Sequence, residues 1–231
     1  MKKRLEILCI ADNVDPLIYT ESLKNRFGHV DAVISCGDLK RNYYEFIVCN
    51  LDAPFIYVLG NHSNFSMSKA DTDNYSDDNL FCGGRLADGK SVYLKELDLI
   101  VVGLGGSINY NRGENQYTEA EMFIRILALL PRLLWNKVFH KRFLDIFITH
   151  APPRDVNDRE DPCHRGFRIF RWFIRVFRPL CMIHGHIHLY SYDKVRKTVY
   201  EGVPVINAYN HYLLKLPLDE EENEKPESSN I

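Results

Sequence analysis

The sequence lacks any long hydrophobic run. No window of the 231 residues approaches the roughly 18 consecutive apolar residues of a membrane-spanning helix. The first apolar stretch, residues 5–10, is interrupted by Glu6 and followed by Ala11-Asp12. A secretory signal needs roughly 7–15 apolar residues and then a small-residue cleavage site. We therefore expect this stretch to form a buried strand, and the protein to be soluble and not exported.

A strong charge of one sign is also absent. The formal net charge is −2, and charged residues make up 26% of the chain, the usual share for a soluble globular protein. Segment 218–231 holds six acidic residues and one lysine, which leaves the rest of the chain weakly basic. That excess is too small to predict nucleic-acid binding. We expect one domain over residues 1–217 and an acidic, disordered tail over residues 218–231.

The cysteines do not have the spacing of a disulfide framework in a small secreted domain. Three of the six lie in apolar, strand-like runs, which favours reduced and mostly buried thiols. Reduced thiols are typical of the cytoplasm, and we expect the protein to be located there. The six are Cys9, Cys36, Cys49, Cys82, Cys163 and Cys181.

Short apolar runs of strand length recur along the chain and end in polar or glycine-rich turns. Near-continuous apolar runs suit strands that are buried on both faces, as in layered α/β sheets. Several later strands are joined by short turns, which indicates two packed sheets rather than one parallel sheet. The predicted strands are residues 5–10, 32–36, 55–58, 91–94, 98–102, 144–149, 181–184, 191–200 and 203–208.

Helices are predicted between these strands. The strongest begins after Thr118, a suitable N-cap, and Pro131 is expected to break or kink it before a second helical piece. The polar segment 63–79 is expected to be a long loop. By default it is surface filler, and its position directly after Asn61-His62 is the reason to consider a functional loop instead. The predicted helices are residues 16–27, 42–49, 119–130, 132–139 and 167–178.

Metal-binding residue types follow five of the strand-like runs directly. The loops at the carboxyl ends of strands converge on one rim in α/β proteins, so residues distant in sequence can meet there. Each residue alone has an ordinary explanation as a turn, cap or surface residue, but the joint pattern predicts a metal site. Carboxylates, an amide oxygen and imidazoles suit Mn²⁺, Fe²⁺ or Zn²⁺, and the absence of thiolates argues against a structural zinc site. The residues are Asp12, Asp38, Asn61, His150, His186 and His188.

These motifs resemble those of a known family. The blocks Gly37-Asp38, Gly60-Asn61-His62, His150 and Gly185-His186-Ile187-His188 are similar in order and spacing to those of calcineurin-like metallophosphoesterases. The resemblance covers nearly all of the chain. It implies an α/β fold, a four-layered α/β/β/α sandwich of two mixed β-sheets flanked by helices. It also implies a phosphodiesterase or phosphatase that acts on small-molecule phosphoesters.

The resemblance further implies a dinuclear centre with an activated water, of the kind that clamps a phosphate between two metal ions. Mn²⁺ is the first expectation for both ions, with Fe, Zn or Ni as alternatives. His62 would lie outside the coordination shell and stabilise the developing charge or protonate the leaving oxygen, a role that suits a pKa near neutrality. Asp38 would bridge the metals, with Asp12 and His188 on the first, and Asn61, His150 and His186 on the second.

One position departs from the family pattern. The first block is normally Asp-x-His, and here it is Asp12-Asn13-Val14. Valine cannot coordinate, so we expect the first metal to bind weakly or to differ in identity unless Asp15, Asn13 or a water completes its shell. This loss leaves open a second interpretation, a binding scaffold with weakened catalysis, as in the retromer-type relatives of the family. The retained His62 weighs against a scaffold, and a nuclease would lack a basic groove.

A polar loop over residues 158–166 follows the His150 block. Entering beside the metal rim, this loop and the residues just before it would offer Arg154, His164 and Arg165 to a substrate phosphate. The alternative is a loop that only caps the next helix.

That next helix, residues 167–178, has an unusual pattern. Its arginines fall on one stripe of about 80° and aromatic and aliphatic residues fill the rest. Either the helix is deeply set with its arginines directed outward, or it provides a contact surface for another subunit, a partner or an anionic membrane. Residues 122–134, rich in leucine and isoleucine, would share in such a surface.

Overall fold

Two β-sheets packed face to face form the centre of the computed structural model, which describes residues 4–62, 83–190 and 195–218. In the first sheet the strand order is β13-β1-β2-β3-β4, with β1 to β4 parallel to their neighbours and β13 antiparallel to β1. Its strands are β1 (Leu5–Ala11), β2 (Ala32–Ser35), β3 (Phe55–Tyr57), β4 (Gly84–Leu86) and β13 (Asn210–Leu216).

The second sheet has the strand order β11-β12-β10-β9-β6-β5. Its four inner strands are parallel and its two edge strands are antiparallel. Its strands are β5 (Lys90–Leu94), β6 (Leu99–Leu104), β9 (Ile146–Thr149), β10 (Cys181–His184), β11 (Lys197–Tyr200) and β12 (Val203–Asn207). The short pair β7 (Ser107–Ile108) and β8 (Gln116–Tyr117) stands apart from both sheets.

Alternating side chains explain how the layers form. In β1, Ile7 and Cys9 face the core between the two sheets, whereas Leu8 and Ile10 face a second apolar cluster on the outer side, as the two-residue period of a strand requires. In β6, Val101 likewise faces the core between the sheets while its neighbours face outward. Both sheets are therefore buried on both faces, and the predicted four-layered sandwich of two mixed sheets is confirmed.

Helices cover the outer faces. On the first sheet lie α1 (Leu23–Phe27) and α2 (Arg41–Asn50); on the second lie α3 (Glu119–His140) and α4 (Arg168–Phe177). Of the helix predicted over residues 16–27, only the last part, α1, is helical. The residues before it form turns instead, because the Asp15 carboxylate accepts a hydrogen bond from the Leu17 N–H (2.8 Å) and its carbonyl accepts from Ile18 and Tyr19.

The prediction of two helical pieces around Pro131 was wrong, since α3 continues through this residue to His140. Proline removes only one backbone donor. Buried residues on both sides, among them Leu129 and Leu133, hold the helix against the second sheet. Near its end, the Asn136 side chain donates to Ser91 Oγ and to the Phe143 carbonyl, each at 2.9 Å.

Three predictions fall partly or wholly on parts that the structure does not describe. They are the loop over residues 63–79, the first part of the strand predicted over residues 191–200, and nearly all of the acidic tail. The boundary between domain and tail therefore stays a prediction. Among the described residues, none of the helices combines the length and the apolarity needed to cross a membrane.

Candidate metal centre

The carboxyl ends of strands from both sheets meet at one rim. Asp38 follows β2 and Asn61 follows β3 in the first sheet, while His150 follows β9 and His186 follows β10 in the second. Glycines permit the close approach. A Cβ on Gly60 would lie 2.0 Å from Asp38 Oδ1, which no side chain could tolerate. The predicted convergence of sequence-distant residues is thus what the fold produces.

Three of the predicted ligands have left-handed backbone conformations. The φ angles of Asp12, Asp38 and His186 are 64°, 57° and 66°. Non-glycine residues adopt this region rarely, and aspartate and histidine are among the residues that tolerate it best. Such positions cluster at functional sites, where the surrounding structure enforces them.

Four ligand atoms converge on one point of the rim. His150 Nε2 lies 2.9 Å from Asn61 Oδ1, 3.1 Å from Asp38 Oδ2 and 3.1 Å from His186 Nδ1. Side-chain atoms of Asp38, His150 and His186 that can each serve as a ligand lie within 4.8 Å of one another. Neighbouring ligand atoms around one metal ion lie about 3 Å apart when the bonds from metal to ligand are about 2.1 Å, so the observed separations fit a metal site.

Hydrogen bonds on the far side of each imidazole fix its orientation. His150 Nδ1 lies 2.7 Å from the Cys36 carbonyl oxygen, and His186 Nε2 lies 2.6 Å from that of Cys163. A carbonyl only accepts, so each of these nitrogens carries the proton. The rim nitrogen of each imidazole is then the one that can offer a lone pair to a metal, which for His150 requires that the bound cation displace a second proton. The carbonyls are the outer partners that metal-binding histidines typically have.

The electrostatics of the rim favour positive charge at the convergence point. Burial lowers the pKa of His186 to about 3, so this imidazole is neutral and can act as a ligand. Burial also lowers the pKa of His150, but the Asp38 carboxylate outweighs it and raises the value to about 9. Asp38 has its own pKa lowered to about 2, because its contacts with His150 and with the His62 N–H outweigh burial. A carboxylate, an amide oxygen and two imidazoles around such a point fit a divalent metal ion.

Asp12 lies beside this group rather than within it. Both of its carboxylate oxygens accept a hydrogen bond from the His186 N–H at 2.9 Å. Burial raises its pKa to about 7, and the neighbouring charge of Asp38 adds to that effect. A nearby cation would reverse this shift, since it favours the ionised carboxylate.

The predicted first metal position is less complete. The His188 ring packs on Tyr209, with centroids 5.1 Å apart, and its Nδ1 is hydrogen-bonded to the Tyr190 hydroxyl. Val14 packs against the outer apolar cluster of the first sheet. The ligand roles of Asp12 and His188 stay predictions.

The two substitutes considered for the missing imidazole are bonded elsewhere. Asp15 contacts His211 Nδ1 at 2.6 Å, and the Asn13 amide donates to Asn210 Oδ1 at 2.9 Å. Both partners belong to β13. The described contacts of Asn13 and Asp15 therefore do not support either residue as a replacement ligand.

His62, the predicted acid, is exposed at the rim. Its backbone N–H donates to Asp38 Oδ1 at 2.8 Å, which keeps residue 62 next to the centre. An exposed imidazole at this place can reach a substrate that lies over the ligands. Its catalytic role stays a prediction.

The substrate-binding candidates differ from one another. Arg154 is held by three acidic residues of its own loop, Asp158 (2.8 Å), Glu160 (2.9 Å) and Asp155 (3.3 Å), so its guanidinium is already neutralised. Arg165 is exposed and donates to the Glu160 carbonyl at 3.3 Å.

His164 lies beside the predicted ligands, with its ring centroid 5.3 Å from that of His186. It belongs to a second group of possible ligands, Asp161, Cys163 and His164, in which Asp161 Oδ1 contacts His164 Nδ1 at 2.7 Å. The loop over residues 158–166 therefore does lie at the rim. The side chain that caps α4 is not one of this loop but Glu119, which accepts from the Arg168 N–H at 2.7 Å. The substrate-binding roles of Arg154, His164 and Arg165 stay predictions.

Sequence reasoning missed several contributors to the site. The Tyr110 hydroxyl accepts from the Asn61 amide at 3.3 Å, which turns the amide oxygen towards the ligands. Asn115 donates to the Gly60 carbonyl at 3.1 Å and supports the same turn. The carbonyls of Cys36 and Cys163 act through the backbone, so no residue type could have marked them.

A family model described as calcineurin-like phosphoesterase matches residues 5–190 of the chain. Its match takes in every residue of the convergent group. No curated protein sequence matches the chain.

Solved structures support the fold. The protein TT1561 of Thermus thermophilus aligns with a TM-score of 0.60 at 14% identity, covering 92% of this chain and 98% of its own. Another solved chain aligns with a TM-score of 0.62 at 15% identity, with coverages of 93% and 96%. A phosphatase from Mycoplasma pneumoniae reaches only 0.47 at 15% identity, covering 90% of this chain and 73% of its own. At these identities the likeness concerns the fold alone.

Proposed function

Because the chain belongs to the calcineurin-like phosphoesterase family, we propose that it is a metal-dependent hydrolase that acts on small-molecule phosphate esters, as a phosphatase or phosphodiesterase. The observation that carries the proposal is the convergence of Asn61, Asp38 and His186 ligand atoms about 3 Å from His150 Nε2, with both Nδ1 of His150 and Nε2 of His186 turned towards carbonyls. A metal ion that displaced the second proton of His150 would find four ligand atoms around one point. Divalent metals that serve phosphoryl chemistry are bound in this way.

The proposed centre has two unequal halves. Asp38, Asn61, His150 and His186 make the firmer position, and Asp12 with His188 makes the weaker one, with Asp38 shared. Mn²⁺ is the expected metal, with Fe, Zn or Ni as alternatives. Bound divalent ions would polarise the phosphoryl oxygens and lower the pKa of a water at the centre.

The chain's own residues would do the rest. The Cys36 and Cys163 carbonyls hold the two imidazoles in the tautomer that a metal requires. Asp12, bonded to the His186 N–H, keeps that turn of backbone in place. His62 would deliver a proton to the leaving oxygen or stabilise charge that develops on the phosphoryl group.

One observation favours the scaffold alternative. Position 14 contributes a valine to an apolar cluster where the family pattern has an imidazole, and Asn13 and Asp15 are bonded to β13. A half-complete first position would weaken catalysis while the fold persists. In that case the protein would bind a partner through the same rim without useful turnover.

Hydrolysis of bis-p-nitrophenyl phosphate and p-nitrophenyl phosphate with added Mn²⁺ tests the proposal. Asp38→Asn should abolish activity and lower the bound metal, while His62→Ala should keep the metal and lose about 100-fold or more in kcat/KM. Asparagine suits the comparison, since it tolerates the positive φ of residue 38.

Two exposed residues away from the rim provide matched controls. Asp52→Asn and His29→Ala make the same kinds of change and should leave activity intact. If the wild-type protein hydrolyses neither ester with any of Mn²⁺, Fe²⁺, Zn²⁺ or Ni²⁺, the enzyme proposal fails. Tight binding of a protein partner would then support the scaffold.

We further propose a cytoplasmic location. The described cysteines support it, because Cys9, Cys36, Cys49, Cys163 and Cys181 are all free. Burial also raises the pKa of the Cys181 thiol to about 12, which keeps it protonated and inert.

A further inference from the structure

The outward face of α3 is apolar along its whole length. Its exposed hydrophobic side chains have between 41% and 63% of their surface accessible. The opposite face, which includes Met122 and Ile126, is buried on the second sheet. The residues of the exposed strip are Phe123, Ile124, Leu127, Leu134, Trp135, Val138 and Phe139.

Such a strip is uncommon on a soluble monomer, where apolar patches are small unless they bind something. The two alternatives for residues 167–178 can be compared with it. In α4 the aromatic side chains Phe170, Phe173 and Phe177 are buried, and the arginines point outward. Most of the aromatic residues of α4 are thus set against the second sheet, whether α4 also contacts a partner stays a prediction, and the larger exposed apolar surface lies on its neighbour α3.

The layer that carries this strip is strongly basic. Residues 119–142 and 165–180 hold ten Lys and Arg residues and two Glu, a net charge of +8, whereas the whole chain has −2. Both acidic residues, Glu119 and Glu121, lie in the first turn of α3. Three of the arginines are paired with aspartates. Exposed basic residues of the layer are Arg132, Lys137, Lys141, Arg165, Arg168, Arg175 and Arg178.

We propose that the α3 strip docks on the surface of a bilayer that contains anionic lipids. An apolar strip flanked by Lys and Arg is the pattern of a helix that lies in the plane of a membrane interface. Each basic residue near an anionic leaflet adds to the attraction. Trp135, with the Arg132 guanidinium 4.5 Å over its ring, is the kind of amphipathic side chain found at that interface.

Charge argues against the other occupants. A second copy would place the exposed basic residues of one layer against those of the other, and like charges oppose association. A nucleic acid would satisfy the arginines through its phosphates but leave the apolar strip without a partner. The inference does not depend on the proposed hydrolysis, since the strip lies outside the metal centre.

Flotation with lipid vesicles tests the inference on the full-length protein. We expect the protein to float with vesicles of phosphatidylcholine mixed with phosphatidylglycerol, and much less with phosphatidylcholine alone. Ile124→Glu combined with Leu134→Glu should weaken partitioning about 100-fold, because two large apolar side chains are lost from the interface. Arg132→Gln combined with Arg175→Gln should weaken it about 30-fold on anionic vesicles.

Leu17→Glu is the matched control. Leu17 is an exposed apolar residue, 49% accessible, in the segment beside the first sheet, so its variant should float like the wild type. Thermal melting checks that every variant is folded. The inference is overturned if the wild type does not float with anionic vesicles, or if the paired glutamate variant floats as well as the control. It is also overturned if the wild type is a dimer that Ile124→Glu converts to monomers.

Discussion

Arg142 links three segments of the chain through one guanidinium. Its Nε donates to Asp145 Oδ1 at 2.7 Å, and one terminal nitrogen donates to the carbonyl (2.7 Å) and carboxylate (2.9 Å) of Asp98. Asp145 has only 6% of its side chain exposed and also accepts from the Ile100 N–H at 2.8 Å. Removal of the arginine would leave a buried carboxylate without its cation.

We expect Arg142→Ala to lower the free energy of unfolding by about 2 kcal/mol, since a charged hydrogen bond is lost and a buried charge is left unpaired. Arg142 also lowers the pKa of Asp98 from its ordinary 3.8. The stability from that contact is therefore complete above about pH 4 and is lost as pH falls through the lowered pKa.

Urea unfolding at several pH values measures the free energy of unfolding of the wild type and of Arg142→Ala. The difference between the two free energies should be constant near neutrality and smaller in acid. Arg175→Ala, which removes an exposed arginine from α4, should change stability by at most about 0.5 kcal/mol. A difference in unfolding free energy that grows in acid would contradict a stabilising ion pair between Arg142 and Asp98.

At the scale of elements, Pro131 tests how α3 is held. Proline in a helix interior costs about 3 kcal/mol relative to alanine, and at this position it leaves the Leu127 carbonyl without its usual donor. We expect Pro131→Ala to raise the stability by about 1–3 kcal/mol, or the melting temperature by roughly 2–4 °C for each kcal/mol. Leu134→Ala, at another exposed position of the same helix, should have little effect. A less stable Pro131→Ala variant would mean that packing on the second sheet depends on the proline.

The strands that carry the ligands could be predicted, because each is a short apolar run that ends in a glycine, aspartate, asparagine or histidine. Residues 181–184 are β10 to the residue, and the predicted start of β2 at residue 32 is also correct. Strand β13 was not predicted as a strand of its own. Its residues 210–216 do not alternate regularly between polar and apolar, and their extended conformation is stabilised by pairing with β1. The small strands β4, β7 and β8 have two or three residues each, too few to show a period.

The ends of the helices, and which face of each helix is exposed to solvent, were harder to predict. The turn before α1 depends on one carboxylate, Asp15, that competes for backbone N–H groups. In α3 and α4, both sequences are rich in apolar residues, and only tertiary packing decides which face is covered. The sequence places the ligands in one region, but the hydrogen bonds from His150 and His186 to carbonyls depend on the folded backbone.

At the scale of the whole molecule, the convergent ligands join the two sheets. Asp38 and Asn61 come from the first sheet, and His150 and His186 from the second. A bound metal would therefore hold the sheets together and stabilise the folded state by mass action.

We expect Mn²⁺ at about 100 times its dissociation constant to add about 2.7 kcal/mol of stability, a rise of roughly 5–10 °C in melting temperature. A chelator should reverse the rise, as followed by circular dichroism. Asp38→Asn should lose the response, while Asp52→Asn keeps it. If Mn²⁺ does not change the melting temperature of the wild type, the proposed metal site between the sheets is contradicted. This conclusion does not depend on the result with vesicles.

The left-handed backbone at Asp12, Asp38 and His186 sets site chemistry against stability. Glycine adopts this conformation without strain, so each position carries a cost on the order of 1 kcal/mol that glycine would relieve. These three positions therefore hold polar side chains where the backbone alone would favour glycine, whereas Val14 packs against an apolar cluster and carries no such cost.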